Sequence, residues 1–244
     1  GVEFAELVFA IAESPLEEGQ IWAGTNDGFV HVTRDGGENW TNLTGNVPDL
    51  PPWGTVSNIH ASKHDAGTAY MSVDFHQMNG RDPYIYKTSD YGESWTSISS
   101  DIPRSVFSYV HVIREDPVND DLLFLGTDVG LYASLDRGDS WERFMNGFPT
   151  VPVHDLQIHT REGDVIAGTP GRSIWVVNIT PLQQLDDSVL ASDAFLFEPA
   201  PAYHFGTRPT GGEFTAQLYF EAPNPPSGAQ IRYWLSASPE EDVE

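Results

Sequence analysis

Residues 33–40 read Thr-Arg-Asp-Gly-Gly-Glu-Asn-Trp, 88–95 read Thr-Ser-Asp-Tyr-Gly-Glu-Ser-Trp and 134–141 read Ser-Leu-Asp-Arg-Gly-Asp-Ser-Trp. One signature thus occurs three times: a hydroxyl, an acid two residues on, a glycine two further and a tryptophan three beyond that. It describes a hairpin that locks itself, since the carboxylate can accept backbone N–H bonds across the turn, the glycine can take φ > 0 and the indole can cover the hairpin. The residues of this device are Thr33, Asp35, Gly37 and Trp40, then Thr88, Asp90, Gly92 and Trp95, then Ser134, Asp136, Gly138 and Trp141. Each is expected to serve architecture.

Working outward, each hairpin sits inside a longer unit: an apolar strand, a second strand ending in Gly-Thr or a variant of it, a turn, a third strand, the hairpin and a fourth strand. The first unit places strands at 7–12, 20–25, 29–33 and 40–43, and the third at 110–114, 122–127, 131–134 and 141–144. The second has 56–61, 68–73, 84–88 and 95–98, with about eight extra residues before its third strand. A fourth unit at 153–159, 164–169 and 173–177 lacks the hairpin and reads as the last of a series. The signature aspartates lie 55 and 46 residues apart, a length that suits four short antiparallel strands. Apolar residues recur with period two and no helical stripe lasts ten residues, which excludes helix-bundle and Rossmann architectures. Four-stranded units repeated at this length form β-propeller blades. The expected fold is all-β: a partial propeller of about four blades followed by part of a β-sandwich.

Residues 1–180 form the C-terminal blades of a larger ring in this reading, 181–212 a linker and 213–244 the incomplete start of the sandwich. In the last two segments, short strands are expected at 194–198, 213–221 and 230–236, and the Pro- and Gly-rich stretch at 223–228 marks a turn. The chain opens at Gly1 and is expected to be part of something longer.

Composition sets outer bounds on function. Acidic residues outnumber basic ones 36 to 12, for a formal charge of −24, so nucleic acid and anionic membrane surfaces are repelled. Lys63 and Lys87 are the only lysines, a pattern shared by proteins of saline environments and by ordinary solvated acidic faces. The absence of cysteine removes disulfides and thiolate metal sites. N-x-T triplets at Asn39, Asn42 and Asn178 are short enough to arise by accident and carry no weight.

The signature resembles the Asp-box, or BNR, repeat of sialidases, sortilin-type propellers and two-propeller xyloglucanases. The run Val153-His154-Asp155-Leu156-Gln157-Ile158-His159, followed by Gly168-Thr169-Pro170-Gly171-Arg172-Ser173-Ile174-Trp175, is similar to the closing blade of large bacterial proteins labelled glycosyl hydrolases. Asn224-Pro225-Pro226-Ser227-Gly228-Ala229 resembles the opening of the immunoglobulin-like domain that follows it there. Pro170 and Asn178 depart from the His and Asp usual at those positions. The resemblance implies an extracellular or periplasmic bacterial protein, with the rest of its own longer chain as a partner.

In a propeller the first strand of each blade lines the channel. One rim carries the loops between second and third strands and those leading to the next blade, so Asp27, the loop from Asp74 to Tyr84, Asp128, Arg172 and the segments 47–55, 102–109 and 148–153 are expected there. Trp53, Asp74, His76, Arg81 and Arg172 are the candidate ligand-binding residues, Trp53 offering a flat face for a sugar ring or an aromatic side chain. The alternatives are a rim loop that caps the channel and an indole packed between blades. Glycoside hydrolysis needs two carboxylates flanking the bond, and Asp74, Asp128 and Asp155 are the candidates. A sialidase is disfavoured because the arginines are scattered and Arg34 and Arg137 fall inside signature turns. The eight histidines show no metal-ligand spacing, His111 and His154 recur near innermost strands where a structural role is commoner, and the acidic loop 116–121 lacks the regular oxygen spacing of a calcium loop. No metal and no cofactor are expected. The resulting functions are a secreted recognition module binding a protein, peptide or polysaccharide through its rim, or a glycoside hydrolase resembling the xyloglucanases.

Overall fold

The structure, a computed structural model, describes residues 7–105, 108–202 and 228–237. Two compact units divide the chain, 1–183 and 184–244.

The first unit contains three four-stranded antiparallel sheets and one of three strands. The first sheet is β1 (Val8–Glu13), β2 (Ile21–Thr25), β3 (Val30–Thr33) and β4 (Thr41–Asn42). The second is β5 (Thr55–Ala61), β6 (Ala69–Asp74), β7 (Tyr84–Thr88) and β8 (Thr96–Ser97), and the third is β9 (Val110–Glu115), β10 (Leu123–Thr127), β11 (Gly130–Ser134) and β12 (Glu142–Arg143). The fourth has β13 (Asp155–His159), β14 (Asp164–Gly168) and β15 (Ile174–Asn178). Strands pair in chain order within each sheet, the meander expected of a blade.

Apolar side chains collect between blades rather than within them. Trp22, Val56, Met71 and Trp95 share one core between the first two blades. Tyr70, Ile98, Val110 and Trp141 share the next, and Val112, Phe124, Leu156 and Val165 the third. The tryptophans of the second and third hairpins reach back to the preceding blade. Trp95 meets Trp22 edge-on with centroids 6.0 Å apart, and the Trp141 indole N–H donates to the Ile98 carbonyl at 2.7 Å. Trp40, the same position in the first blade, is 44% exposed. The two end blades also leave apolar surface uncovered, with Phe9 and Ile11 on β1 and Ile174 and Val176 on β15 exposed.

The three hairpins close alike. Asp35, Asp90 and Asp136 each accept the backbone N–H four residues on, at 2.9, 2.9 and 2.8 Å, and a hydroxyl from Thr33, Thr88 or Ser134. That same hydroxyl oxygen accepts the N–H of Gly37, Gly92 or Gly138, each at positive φ. Bonds from the Asn39 side chain, then from its backbone N–H and from Thr33, pull Asp35 down to about 2. Asp90 is lowered in the same way by Ser94, and Asp136 by Ser140 and Ser134 although burial acts against them. A carboxylate whose folded pKa lies below its unfolded value of about 3.9 contributes stability that is present above that value and lost as pH falls through the folded pKa. The urea midpoint is therefore expected to fall between about pH 4 and pH 2. Combined Asp→Asn substitution at 35, 90 and 136 should flatten that slope; an unchanged slope would assign acid sensitivity elsewhere.

Helix α1 (Thr180–Gln183) closes the first unit, with the Gln183 amide donating to Asp116 at 2.8 Å. Asn178 is held by its side-chain N–H groups, which donate to the Glu162 and Gly163 carbonyls and to Asp164. A carboxylate there would have no such donors.

In the second unit, Asp186 caps α2 (Asp187–Leu190) by accepting the Val189 N–H at 2.9 Å. β16 (Ala194–Leu196) pairs antiparallel with β17 (Tyr233–Leu235), placing Phe195 opposite Trp234. The strand expected at 213–221 lies outside the described residues.

Candidate functional site

The signature hairpins lie beside the turns between first and second strands: Gly36 donates to Gly19, Tyr91 to Gly67 and Arg137 to Asp121. The opposite rim is formed by turns between second and third strands and by inter-blade segments. There the Asp128 N–H donates to Tyr109, Val153 N–H to Thr127 and the Thr55 hydroxyl to Asn26.

On this rim three blades bring together a row of rings between two carboxylates. His76 stacks on Tyr109, with centroids 5.4 Å apart and planes at 26°. Tyr109 meets His111 edge-on at 5.2 Å, and His111 lies 4.2 Å from His154. At one end Asp74, 9% exposed, bonds the His76 Nδ1 at 2.5 Å and accepts the His76 N–H at 2.8 Å. At the other, Asp128 Oδ1 lies 3.5 Å from His111 Nε2. One ligand atom from each of His111, Asp128 and His154 lies within 4.8 Å of the others.

Local folding explains each placement. In the β9–β10 ladder Val112 faces Gly126 and Val110 faces Thr127, so His111 is the extra residue of a β-bulge, a device that re-aims a side chain. Phe9 and Ser57 are the corresponding extra residues of β1 and β5. Asp128 follows β10 in the tight turn to β11, and His154 immediately precedes β13. The enlarged loop follows Asp74, the last residue of β6, makes one 3-10 turn at His76–Met78 and ends that turn at Asn79 with φ 61°. Phe75 anchors it from below, packed 4.7 Å from Tyr84 and over Gly54, where an added Cβ would stand 2.2 Å from the ring.

Electrostatics tie the row together. Burial first, then the charge of Asp128 and a hydrogen bond to it, raise the Tyr109 phenol, with Asp74 adding to the shift and Arg81 opposing it. Burial and the neighbouring His154 lower His111, while Asp128 and Asp74 pull the other way.

The other candidates stand apart. Asp155, at the start of β13, accepts from Arg114 at 3.2 Å and from its own neighbour Leu156. Arg114 also donates to Asn58 and to the Ile113 carbonyl. Near it His60 is pushed down to about 3, by burial and then by the charges of Arg114 and Lys63. Trp53 is 57% exposed at φ 71°, and Arg172 is exposed in the turn before β15, its carbonyl accepting the Trp175 indole N–H. In the acidic loop Asp116 accepts the N–H groups of Val118 and Asn119, while Asp120 and Asp121 pair with Arg137. Tyr109 joins the row without having been a candidate in sequence.

No family model matches the chain. It is 30% identical over 89 residues to the oligoxyloglucan-reducing end-specific xyloglucanase of Emericella nidulans, which is 36% of this chain and 10% of that protein. Among solved structures it is similar to the GH74 xyloglucanase from Xanthomonas campestris, at TM-score 0.58 and 18% identity over 72% of this chain and 29% of that one. An ancestral GH74 enzyme aligns at TM-score 0.54 and 17% identity, covering 68% of this chain and 22% of that one. The GH74 enzyme of Niastella koreensis aligns at TM-score 0.53 and 18% identity, covering 70% and 28%. The chain thus spans a tenth of the curated relative's length and under a third of each solved one. The likeness shows a β-propeller fold, of which the four sheets are successive blades.

Proposed function

We propose that the rim row is a recognition surface for carbohydrate, on a secreted protein of the Asp-box propeller type. The supporting observation is the continuous run His76, Tyr109, His111, His154 set between Asp74 and Asp128. Rings offer flat faces at little conformational cost, and the flanking acids accept hydroxyl hydrogen bonds. The local match to a xyloglucanase favours a polysaccharide over a peptide as the ligand.

A second reading, glycoside hydrolysis, is favoured by two carboxylates on one row, both acting on Tyr109 and His111. Titration of the chain with xyloglucan oligosaccharides, by calorimetry, tests both. Tyr109→Ala is expected to weaken binding about tenfold, equivalent to roughly 1.4 kcal/mol. Turnover abolished by Asp74→Asn would make the site catalytic. Binding that survives Tyr109→Ala, or confined to peptides, would move recognition of carbohydrate off this row.

A further inference from the structure

We propose that His111, Asp128 and His154 form a binding site for a divalent transition-metal ion of the zinc class. Two imidazoles and one carboxylate within 4.8 Å of one another supply three ligands from three different blade segments. This donor set suits zinc and its neighbours rather than magnesium or calcium, which prefer oxygen alone.

The spacing of one ligand pair matches that of two ligands on a shared cation. His111 Nε2 and Asp128 Oδ1 are 3.5 Å apart, beyond the usual range of about 2.7–3.2 Å for such a bond. Two ligands at about 2.0–2.1 Å from one tetrahedral ion stand about 3.3–3.4 Å apart. The His154 imidazole makes no hydrogen bond among the described residues and lies 4.2 Å from that of His111, centroid to centroid.

Supporting contacts fix the first two ligands. Tyr109 lies edge-on to the His111 ring and its carbonyl accepts the Asp128 N–H at 3.4 Å, the kind of outer contact that orients metal ligands. The bulge at His111 sets the direction of its ring. His154 is exposed, so a fourth coordination position opens to solvent, where water or a ligand oxygen can enter. All three ligands belong to the rim row proposed to bind carbohydrate, and zinc is titrated without carbohydrate so that failure of one reading is distinct from failure of the other.

The test uses the 244-residue chain, stripped with a chelator, dialysed and titrated with zinc chloride by calorimetry and with cobalt chloride by absorption. Expected are one saturable equivalent and the visible bands of four- or five-coordinate cobalt. His154→Ala and Asp128→Asn should each weaken zinc binding by about 10- to 100-fold, and Tyr109→Ala, which removes the ring beside His111, by about tenfold. His159→Ala, on the same blade, should leave it unchanged. Because His154 is exposed, its substitution keeps the fold and decides the question even where His111→Ala does not fold. Failure to saturate, or binding that survives both His154→Ala and Asp128→Asn, would overturn the site and assign any metal uptake to the acidic surface.

Discussion

Trp22→Ala is expected to destabilise the blades by about 3–5 kcal/mol, read as a fall in the urea midpoint. Trp22 is completely buried in β2 and meets Trp95 of the next blade edge-on. Gly92 has no Cβ at a point where one would stand 2.4 Å from Leu43 and 3.3 Å from the Trp22 ring, so the following hairpin closes over both side chains. Deleting the indole leaves a void bounded by two blades, neither of which can collapse without breaking its own ladder. Its N–H has no acceptor among the described residues, so the cost comes from packing. Trp22→Phe, which keeps most of the ring and removes the unpaired donor, should cost less than half as much. A cost below about 1 kcal/mol for the alanine variant would mean that the blades do not share this core.

Glu115→Ala is expected to cost about 3 kcal/mol. The Glu115 carboxylate is 2% exposed at the end of β9 and accepts from the Ser62 hydroxyl at 3.0 and 2.8 Å, the Lys63 N–H at 2.8 Å and the Tyr70 hydroxyl at 3.2 Å. All three donors belong to the second blade, so one side chain of the third pins its neighbour. Alanine leaves those donors buried without their acceptor, and glutamine places N–H groups against them; both should destabilise, the second less. A spectroscopic readout separates this role from loss of packing. Tyr70 is raised well above the ordinary phenol range, by burial and then by the Glu115 charge. In the alanine variant Tyr70 should ionise at a lower pH than in the parent, followed by ultraviolet absorption. Unchanged ionisation would place the carboxylate's charge elsewhere.

What was legible in sequence follows the range of each interaction. Hairpin residues such as Thr88, Asp90 and Gly92 act on partners within a few positions, so their spacing alone describes the turn. The Asp74–His76 contact is equally local, and the enlarged loop drew attention to it. His111, Asp128 and His154 belong to three segments with no common period. Their meeting depends on a bulge in β9, which shifts register by one residue without leaving a residue-type signature. Tyr109 ends an inter-blade segment and gains meaning only when the loop after β6 lays His76 over it. Asp155 has a carboxylate as suitable in sequence as Asp128, but Arg114 of β9 takes it.

The backward reach of the hairpin tryptophans gives the blade contact a polarity. Trp95 and Trp141 give, while Trp22 and Ile98 receive, and no blade offers the same surface on both sides. Such a contact is heterologous, so no two-fold axis can relate the surfaces that form it. Repeating it can only rotate in one sense, either returning to its start as a ring or running on as an open helix. Trp40 is a giving surface whose receiver is not among the described residues. Any blade that covers it must present the counterpart of Trp22 and Leu43, whichever chain that blade belongs to.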